Sequence, residues 1–194
     1  MLLILASASP ARQLMLRNAG LKFFAVPADL DEAAIKQTST GTPESLALAL
    51  AAAKAAMVAA TCPDALVIGA DQILLCDGKV FDKPADAAQA AAHLRLLSGR
   101  THKLITAVCV YRHKTLMWSN VAAAHLTMRP LTEDFIAGYL AAEADAIFGC
   151  VGAYRLEALG AQLFTAVEGD FFTILGLNLL ALLGYLRESA VLPG

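Results

Sequence analysis

The strongest candidate for chemistry in this chain is Asp71, which follows the short apolar run of residues 66–70. A run of this length and composition is typical of a buried strand, so we place Asp71 at the end of that strand. A carboxylate there is held rigidly and partly desolvated. It is either a helix or turn cap, or a catalytic or metal-binding acid, and position alone leaves both interpretations open.

A second candidate, Lys83, follows closely in sequence. The dipeptide Asp77-Gly78 predicts a two-residue hairpin turn between residues 73–76 and 79–81. Such a hairpin would return Lys83 toward Asp71. An acid and a lysine brought together by a tight turn suit a phosphate ester and its attacking water.

A third group lies after the first strand, residues 2–6, where Ser7, Ser9 and Arg12 precede or open a helix. Ser9 has the chemistry of an N-cap, and Pro10 suits the first helical position. Free amides at a helix N-terminus, two serine hydroxyls and a permanently charged guanidinium together favour an anion site. The alternative is an ordinary capped helix with a surface arginine.

Two further charged residues, Glu32 and Lys54, are candidates for ligand contacts. Glu32 ends the acidic segment 27–32, which we predict to be a loop that is either simply solvated or supplies a magnesium ligand. Lys54 is the only charged residue in the predicted helix between positions 45 and 60. A lysine in such a helix either extends to solvent or, aimed into a cleft, offsets phosphate charge.

The elements that must position these residues alternate between strands and helices, which predicts an α/β fold. With 194 residues and 58% hydrophobic content, the chain can bury a sizeable core, and we expect a single domain, residues 1–194, with two lobes around a cleft. The remaining predicted elements are strand 22–26, helix 85–98, a long hairpin of residues 103–112 and 115–128, helix 132–142, loop and short strand 146–154, and helix 176–189.

Composition excludes several classes of protein. A net charge of −2 argues against an extended nucleic-acid surface. The four cysteines lack metal-site spacing, which favours reduced thiols and a cytoplasmic protein. The apolar start lacks the positive segment of a signal peptide. Segments 44–60 and 171–186 fall short of about 20 apolar residues, so we predict buried helices and no membrane contact.

Taken together, seven short stretches resemble the Maf family in order and spacing over nearly the whole chain. They are residues 5–12, 31–32, 53–55, 69–72, 83–84, 97–102 and 176–177. The resemblance implies an inosine-triphosphatase-like α/β fold with a central mixed sheet flanked by helices. It also implies hydrolysis of a nucleoside triphosphate to the monophosphate and pyrophosphate with a divalent metal, Mg²⁺ or Mn²⁺.

The same resemblance implies roles for individual residues. Asp71 matches the family's proposed proton acceptor, and its substrate-pocket residues are matched by Ser9, Arg12, Glu32, Lys54 and Lys83. Ser7 lies within the matched N-terminal stretch and joins this group through the anion site described above. The metal ligands are not assigned by the sequence.

Three positions bear on which base is accepted. Gln72 and Glu157 resemble the branch of 7-methylguanosine triphosphate pyrophosphatases, where a carboxylate can accept two N–H donors of guanine. Ala11 departs from the family, because that branch can carry a tryptophan there and other members an arginine. Asn178 also departs, because a proline is common there in the family, and we expect this change to affect packing more than chemistry. Without the family, Glu157 also fits a weak surface ion pair with Arg155.

The sequence therefore favours a cytosolic pyrophosphatase that removes a modified purine nucleotide such as 7-methyl-GTP, acting as nucleotide-pool sanitation. One alternative keeps the reaction and moves the substrate to dTTP or UTP. Another is a nucleotide-binding regulator, since the family name is linked to septum formation and cell division. The resemblance is also compatible with a homodimer.

Overall fold

The computed structural model describes residues 2–193; positions 1 and 194 of the predicted domain lie outside the described residues. The strands are β1 (Leu3–Leu5), β2 (Phe24–Ala25), β3 (Leu66–Cys76), β4 (Lys79–Phe81), β5 (Thr101–Arg112), β6 (Thr115–Met128) and β7 (Phe164–Glu168). The helices are α1 (Pro10–Asn18), α2 (Glu32–Thr38), α3 (Pro43–Thr61), α4 (Ala87–Leu97), α5 (Glu133–Glu143), α6 (Phe171–Ile174) and α7 (Leu179–Glu188).

The strands form one mixed seven-stranded sheet, flanked by helices, in the order β2-β1-β3-β5-β6-β7, with β4 paired to β3. β1 runs parallel to both β2 and β3, whereas β3–β4 and β6–β7 are antiparallel. The predicted α/β class with a central mixed sheet is confirmed.

The chain divides into two compact units. The first comprises residues up to Gln72, Thr106–Ala122 and residues from Gly176 onward; the second comprises Ile73–Ile105 and Ala123–Leu175. Strands β3, β5 and β6 each contribute residues to both units.

In the first unit, helix α3 packs closely on β3 because both surfaces are built from small residues. A Cβ added to Gly69 on β3 would lie 2.1 Å from the Ala51 carbonyl oxygen and 2.8 Å from the Ala55 Cβ. Glycine is therefore required at position 69 for this separation of helix and strand. Ala51 and Ala55 lie one turn apart on the buried face, next to Lys54.

Helix α3 has 19 residues, and its length and apolar composition would suffice for a membrane span. The core helix of a soluble protein can meet the same criterion, and one face of α3 is buried in the first unit, including Leu50 and Val58. The predicted helix at 44–60 is confirmed. The predicted helix across 171–186 is wrong in part, because Gly176, with φ of +96°, separates α6 from α7.

Aromatic pairs occur in both units. Trp118 on β6 stacks on Tyr185 of α7 in the first unit, with ring centroids 5.2 Å apart. In the second unit, Tyr154 packs edge-on against Phe164 at 4.9 Å. His102 lies beside this pair and is 1% exposed.

The His102 side chain is enclosed by these rings, and its Nε2 is hydrogen-bonded to the Tyr154 hydroxyl at 2.7 Å. Its other ring nitrogen, Nδ1, has no hydrogen-bond partner among residues 2–193. Burial lowers the pKa of His102 to about 4, because the charged ring would be desolvated. The folded protein therefore keeps this imidazole neutral at neutral pH.

We expect His102 to make the protein sensitive to acid. An unfolded histidine takes up a proton near pH 6.5, whereas the folded ring does so only near pH 4. Its contribution to stability is complete above pH 6.5 and is lost as pH falls toward 4, by about 3 kcal/mol in all. Urea unfolding of the parent and of His102→Gln at pH 7 and pH 4.5 measures this loss.

Between pH 7 and pH 4.5, the free energy of unfolding should fall less in His102→Gln than in the parent. The difference should be close to the contribution of His102 given above. His125→Gln, a change at an exposed histidine of β6, is the matched control and should follow the parent. Equal pH dependence in the parent and His102→Gln would show that His102 does not cause the acid sensitivity.

Candidate functional site

The first unit brings together five of the predicted site residues around the N-terminus of α1 and the buried part of β3. They are Ser7, Arg12, Glu32, Lys54 and Asp71. Ser9 lies beside them as the N-cap of α1.

The prediction that Asp71 ends a strand is wrong. Asp71 lies inside the 11-residue strand β3. The strand continues because the apolar residues Ala70 and Ile73 on either side of Asp71 and Gln72 are buried, and because the charge of Asp71 is compensated locally. Lys54 Nζ donates to Asp71 Oδ1 at 2.5 Å. With Asp71 only 7% exposed, this charge-assisted bond lets a carboxylate lie within a buried strand.

Lys54 is shared between two acids. Its Nζ lies 2.7 Å from Glu32 Oε1 as well as 2.5 Å from Asp71 Oδ1, and its side chain is 13% exposed. Of the two predicted placements for Lys54, the structure shows the inward one. The ammonium holds two carboxylates close together that would otherwise repel each other.

Glu32 reaches this cluster from a helix that the sequence interpretation missed. The predicted loop is confirmed for residues 27–31 and is wrong only for Glu32, because Asp31 accepts hydrogen bonds from the amides of Ala33 and Ala34 and caps α2. Glu32 is the first residue of α2, where a negative charge is favoured by the helix dipole. The cap at Asp31 was the signal that could have identified α2.

Arg12 is fixed by backbone carbonyl groups. Its Nε donates to the Gly176 oxygen at 2.7 Å, and its Nη1 donates to the Ala70 oxygen at 2.9 Å and to Ser7 Oγ at 3.3 Å. Burial lowers the pKa of the guanidinium, while the nearby carboxylates of Asp71 and Glu32 act in the opposite direction. Arg12 therefore lies within the electrostatic field of both acids and ties α1 to β3.

The predicted cap of α1 is confirmed. Ser9 Oγ accepts a hydrogen bond from the Arg12 amide at 3.4 Å, Pro10 begins the helix, and Gly20 follows it with φ of +78°. Ser7 Oγ accepts from the Ser9 amide at 3.2 Å, so the two hydroxyls fix the turn between β1 and α1.

Lys83 and Glu157 belong to the second unit, and both are exposed. The predicted hairpin that precedes Lys83 is confirmed: Asp77 and Gly78, with φ of +48° and +76°, join β3 to β4. Burial raises the pKa of the Cys150 thiol, Glu157 adds to that rise, and Lys83 opposes it. Lys83 and Glu157 therefore both lie close enough to Cys150 to affect the pKa of its thiol.

Arg155 does not pair with Glu157, as one sequence interpretation had it. Its Nε donates to Glu143 Oε2 at 2.7 Å, and the Glu157 carboxylate has no hydrogen bond or ion pair to any residue that the structure describes. Residues 146–154 form short 3₁₀ turns and contain no strand, which corrects the prediction for that segment.

The chain as a whole matches one family model. Residues 2–189 match the family described as Maf-like protein. The chain belongs to the Maf-like protein family.

Curated members of this family are close in sequence. A protein of Rhizobium etli named 7-methyl-GTP pyrophosphatase is 50% identical over 195 residues, covering 99% of this chain and 98% of its own length. A protein of Nitrobacter winogradskyi named nucleoside triphosphate pyrophosphatase is 53% identical over 191 residues, covering 98% and 95%. A second 7-methyl-GTP pyrophosphatase, from Rhizobium johnstonii, is 48% identical over 195 residues.

Two positions at which this Maf-like chain departs from the family pattern have different local environments. Ala11 lies in the first turn of α1 and presents only a methyl group. Asn178 is 4% exposed, and its Nδ2 donates to the Thr106 oxygen and to Asn120 Oδ1, each at 2.9 Å. The expectation that Asn178 affects packing more than chemistry agrees with this buried network.

Gln72 is joined to the same network. Its Nε2 donates to Thr106 Oγ1 at 2.9 Å, and the Thr106 carbonyl accepts from Asn178. The amide of Gln72, which follows Asp71 in β3, is therefore oriented by Thr106, which is fully buried. Sequence inspection missed Thr106, because a threonine inside an apolar strand has no local signal of a polar contact.

Proposed function

We propose that the chain hydrolyses a nucleoside triphosphate to the monophosphate and pyrophosphate, with a modified purine nucleotide such as 7-methyl-GTP as its preferred substrate. The observation that carries the proposal is the Asp71 carboxylate, which is held by Lys54 beside Glu32 and Arg12. The names of the curated relatives support the same reaction.

Asp71 is suited to accept a proton from water. Lys54 bonds its Oδ1, and its Oδ2 accepts no hydrogen bond from the described residues, so Oδ2 is the oxygen available to the water. The water oxygen then attacks the α-phosphorus, its proton passes to Asp71, and the bond to the bridging oxygen breaks. Pyrophosphate leaves with the electrons of that bond.

The cations of the chain offset the charge that develops on the phosphates. Lys54 and Arg12 are fixed by hydrogen bonds before any ligand binds, so they need little reorganisation during the reaction. We assign the same task to the exposed Lys83. Ser7 and Ser9 complete the predicted phosphate contacts at the start of α1.

Glu32 and Asp71 also fit a divalent metal. Mg²⁺ in nucleotide enzymes usually takes one or two protein carboxylates together with phosphate oxygens. Both carboxylates contact the ammonium of Lys54, so they lie on the same part of the first unit. No cluster of three or more His, Cys, Asp or Glu side chains suited to a metal occurs in residues 2–193. When bound, Mg²⁺ or Mn²⁺ would neutralise phosphate charge.

We assign recognition of the base to Glu157, and to Gln72 a separate contribution to selectivity. Methylation at N7 makes the guanine ring cationic, and its edge offers two N–H donors. An exposed carboxylate without a partner in the described protein can accept both and favours a cationic ring. Such an activity suits removal of damaged nucleotides from the cytoplasmic pool.

The test is a turnover panel on purified protein with Mg²⁺ or Mn²⁺, measuring pyrophosphate release from 7-methyl-GTP, GTP, dTTP, UTP and CTP. Preferential release from 7-methyl-GTP supports the proposal. Preference for dTTP or UTP would keep the reaction and overturn the assigned base. No release from any nucleotide would overturn the enzymatic function and favour a nucleotide-binding regulator.

Glu157→Gln should reduce the preference for 7-methyl-GTP over UTP by about 10-fold or more, because a charge-assisted hydrogen bond contributes about 1.5–3 kcal/mol. The change is read as the ratio of the two kcat/KM values. Glu168→Gln, at an exposed carboxylate of β7 in the same unit, is the matched control. An unchanged ratio in Glu157→Gln would show that Glu157 does not read the base.

A further inference from the structure

Glu143, at the end of α5, is a buried carboxylate that the mechanism above does not use. Its side chain is 1% exposed, and the next residue, Ala144, ends the helix with φ of +47°. A carboxylate is retained in such a place only if charged or polar groups compensate it. The hydrogen-bond partners of Glu143 therefore identify the segment that this side chain holds in place.

The two oxygens of Glu143 bind two points of one turn. Oε2 accepts from Arg155 Nε at 2.7 Å, and Oε1 accepts from the Leu159 amide at 3.2 Å. The two donors lie two residues before and two residues after Glu157. All of these residues belong to the second unit.

The turn itself is tightly closed. The Ala158 amide donates to the Arg155 oxygen at 3.2 Å, and a Cβ added to Gly160 would lie 2.3 Å from that same oxygen. Glu157 lies in the middle of this turn and is exposed. The turn is thus fixed at both ends by one buried side chain, while its central carboxylate remains available to a ligand.

We propose that Glu143 is a positioning residue for Glu157 and thereby determines base selectivity. The inference rests on the proposed function, in which Glu157 accepts hydrogen bonds from the base. Such a contact requires the carboxylate to be held to within about 0.5 Å. If the turn is released, ligand binding must order it again, which weakens binding without changing the reacting groups.

The test compares Glu143→Gln with the parent. Glutamine has the same shape but only one acceptor oxygen, so it loses either the Arg155 or the Leu159 contact. We expect the kcat/KM ratio of 7-methyl-GTP to UTP to fall about 5- to 10-fold through KM, with kcat for 7-methyl-GTP nearly unchanged. Hydrogen exchange of the Leu159 amide should become faster.

Glu133→Gln is the matched control, because Glu133 starts the same helix and also pairs with an arginine, Arg95, at 2.6 Å, but its side chain is 68% exposed. This variant should keep the selectivity ratio. The double variant Glu143→Gln/Glu157→Gln separates positioning from a general structural effect. If Glu143 acts through Glu157, it should lower selectivity no further than Glu157→Gln alone.

Two results would overturn the inference and leave the proposed role of Glu157 intact. In the first, Glu157→Gln lowers the ratio of the kcat/KM values for 7-methyl-GTP and UTP, but Glu143→Gln does not. In the second, the losses of selectivity in the two single variants multiply in the double variant. If Glu157→Gln itself leaves the ratio unchanged, the base assignment fails, and the positioning role fails with it. Thermal unfolding of each variant establishes the temperature at which all are folded for these assays.

Discussion

Asp71→Asn is expected to lower kcat by about 10²- to 10⁴-fold while nucleotide affinity is largely kept. Asparagine cannot accept the proton of the attacking water. Its amide oxygen can still accept from Lys54, so the contact that places this side chain on β3 is preserved. Single-turnover release of pyrophosphate measures the chemical step, and calorimetric titration measures nucleotide binding.

Asp77→Asn provides the same chemical change in the turn that follows β3. Asp77 lies at φ of +48° and is exposed, and asparagine tolerates that conformation well. This control should retain the parent kcat. Turnover at the parent rate in Asp71→Asn would exclude Asp71 as the base.

Lys54→Met is expected to lower kcat/KM by about 10²- to 10³-fold, because it removes a preorganised cation from a site that must hold a triphosphate. Methionine keeps most of the apolar stem of the lysine side chain. The variant also leaves Glu32 and Asp71 without their shared partner, so two carboxylates and the substrate phosphates repel one another. Steady-state kinetics over a range of metal concentrations measures the loss.

Lys36→Met is the control for this change. Lys36 contacts the same Glu32, at 3.8 Å and with 32% of its side chain exposed, so solvent screens the interaction. Its loss should alter kcat/KM by less than about 3-fold. Equal losses in the two variants would mean that general positive charge, and not the ammonium between the two acids, supports the reaction.

The parts of the fold that follow from local chemistry were predicted from the sequence. Ser9 and Pro10 begin α1, and Asp77-Gly78 forms the turn between β3 and β4, because the conformation at each place depends on neighbouring residues. The long hairpin of β5 and β6 was also anticipated from its apolar pattern.

Elements with little buried surface were missed. No residue of α2 is buried, and four of the five residues of β7 are exposed, so neither has a periodic apolar face that sequence inspection can detect. The position of Asp71 inside β3 could not be derived either. It depends on Lys54, which lies on another element and compensates the charge.

Most residues of the candidate site were proposed from the types and order of the residues in the sequence, whereas their contacts could not be predicted. Arg12 bonds carbonyl groups 58 and 164 residues away in sequence, and Glu143 pairs with Arg155 across the end of α5. Such pairs are formed by tertiary packing. Local propensity therefore gave no indication that Arg155 would pair with Glu143.

Trp118, stacked on Tyr185, is an intrinsic fluorescent probe of the first unit. Trp118 is the single tryptophan of the chain, and both rings belong to the first unit. Indole fluorescence will therefore follow the environment of the unit that contains Asp71, whereas far-UV circular dichroism follows the helices and strands of both units. Coincidence of the two signals during unfolding would show that the protein unfolds in one cooperative transition.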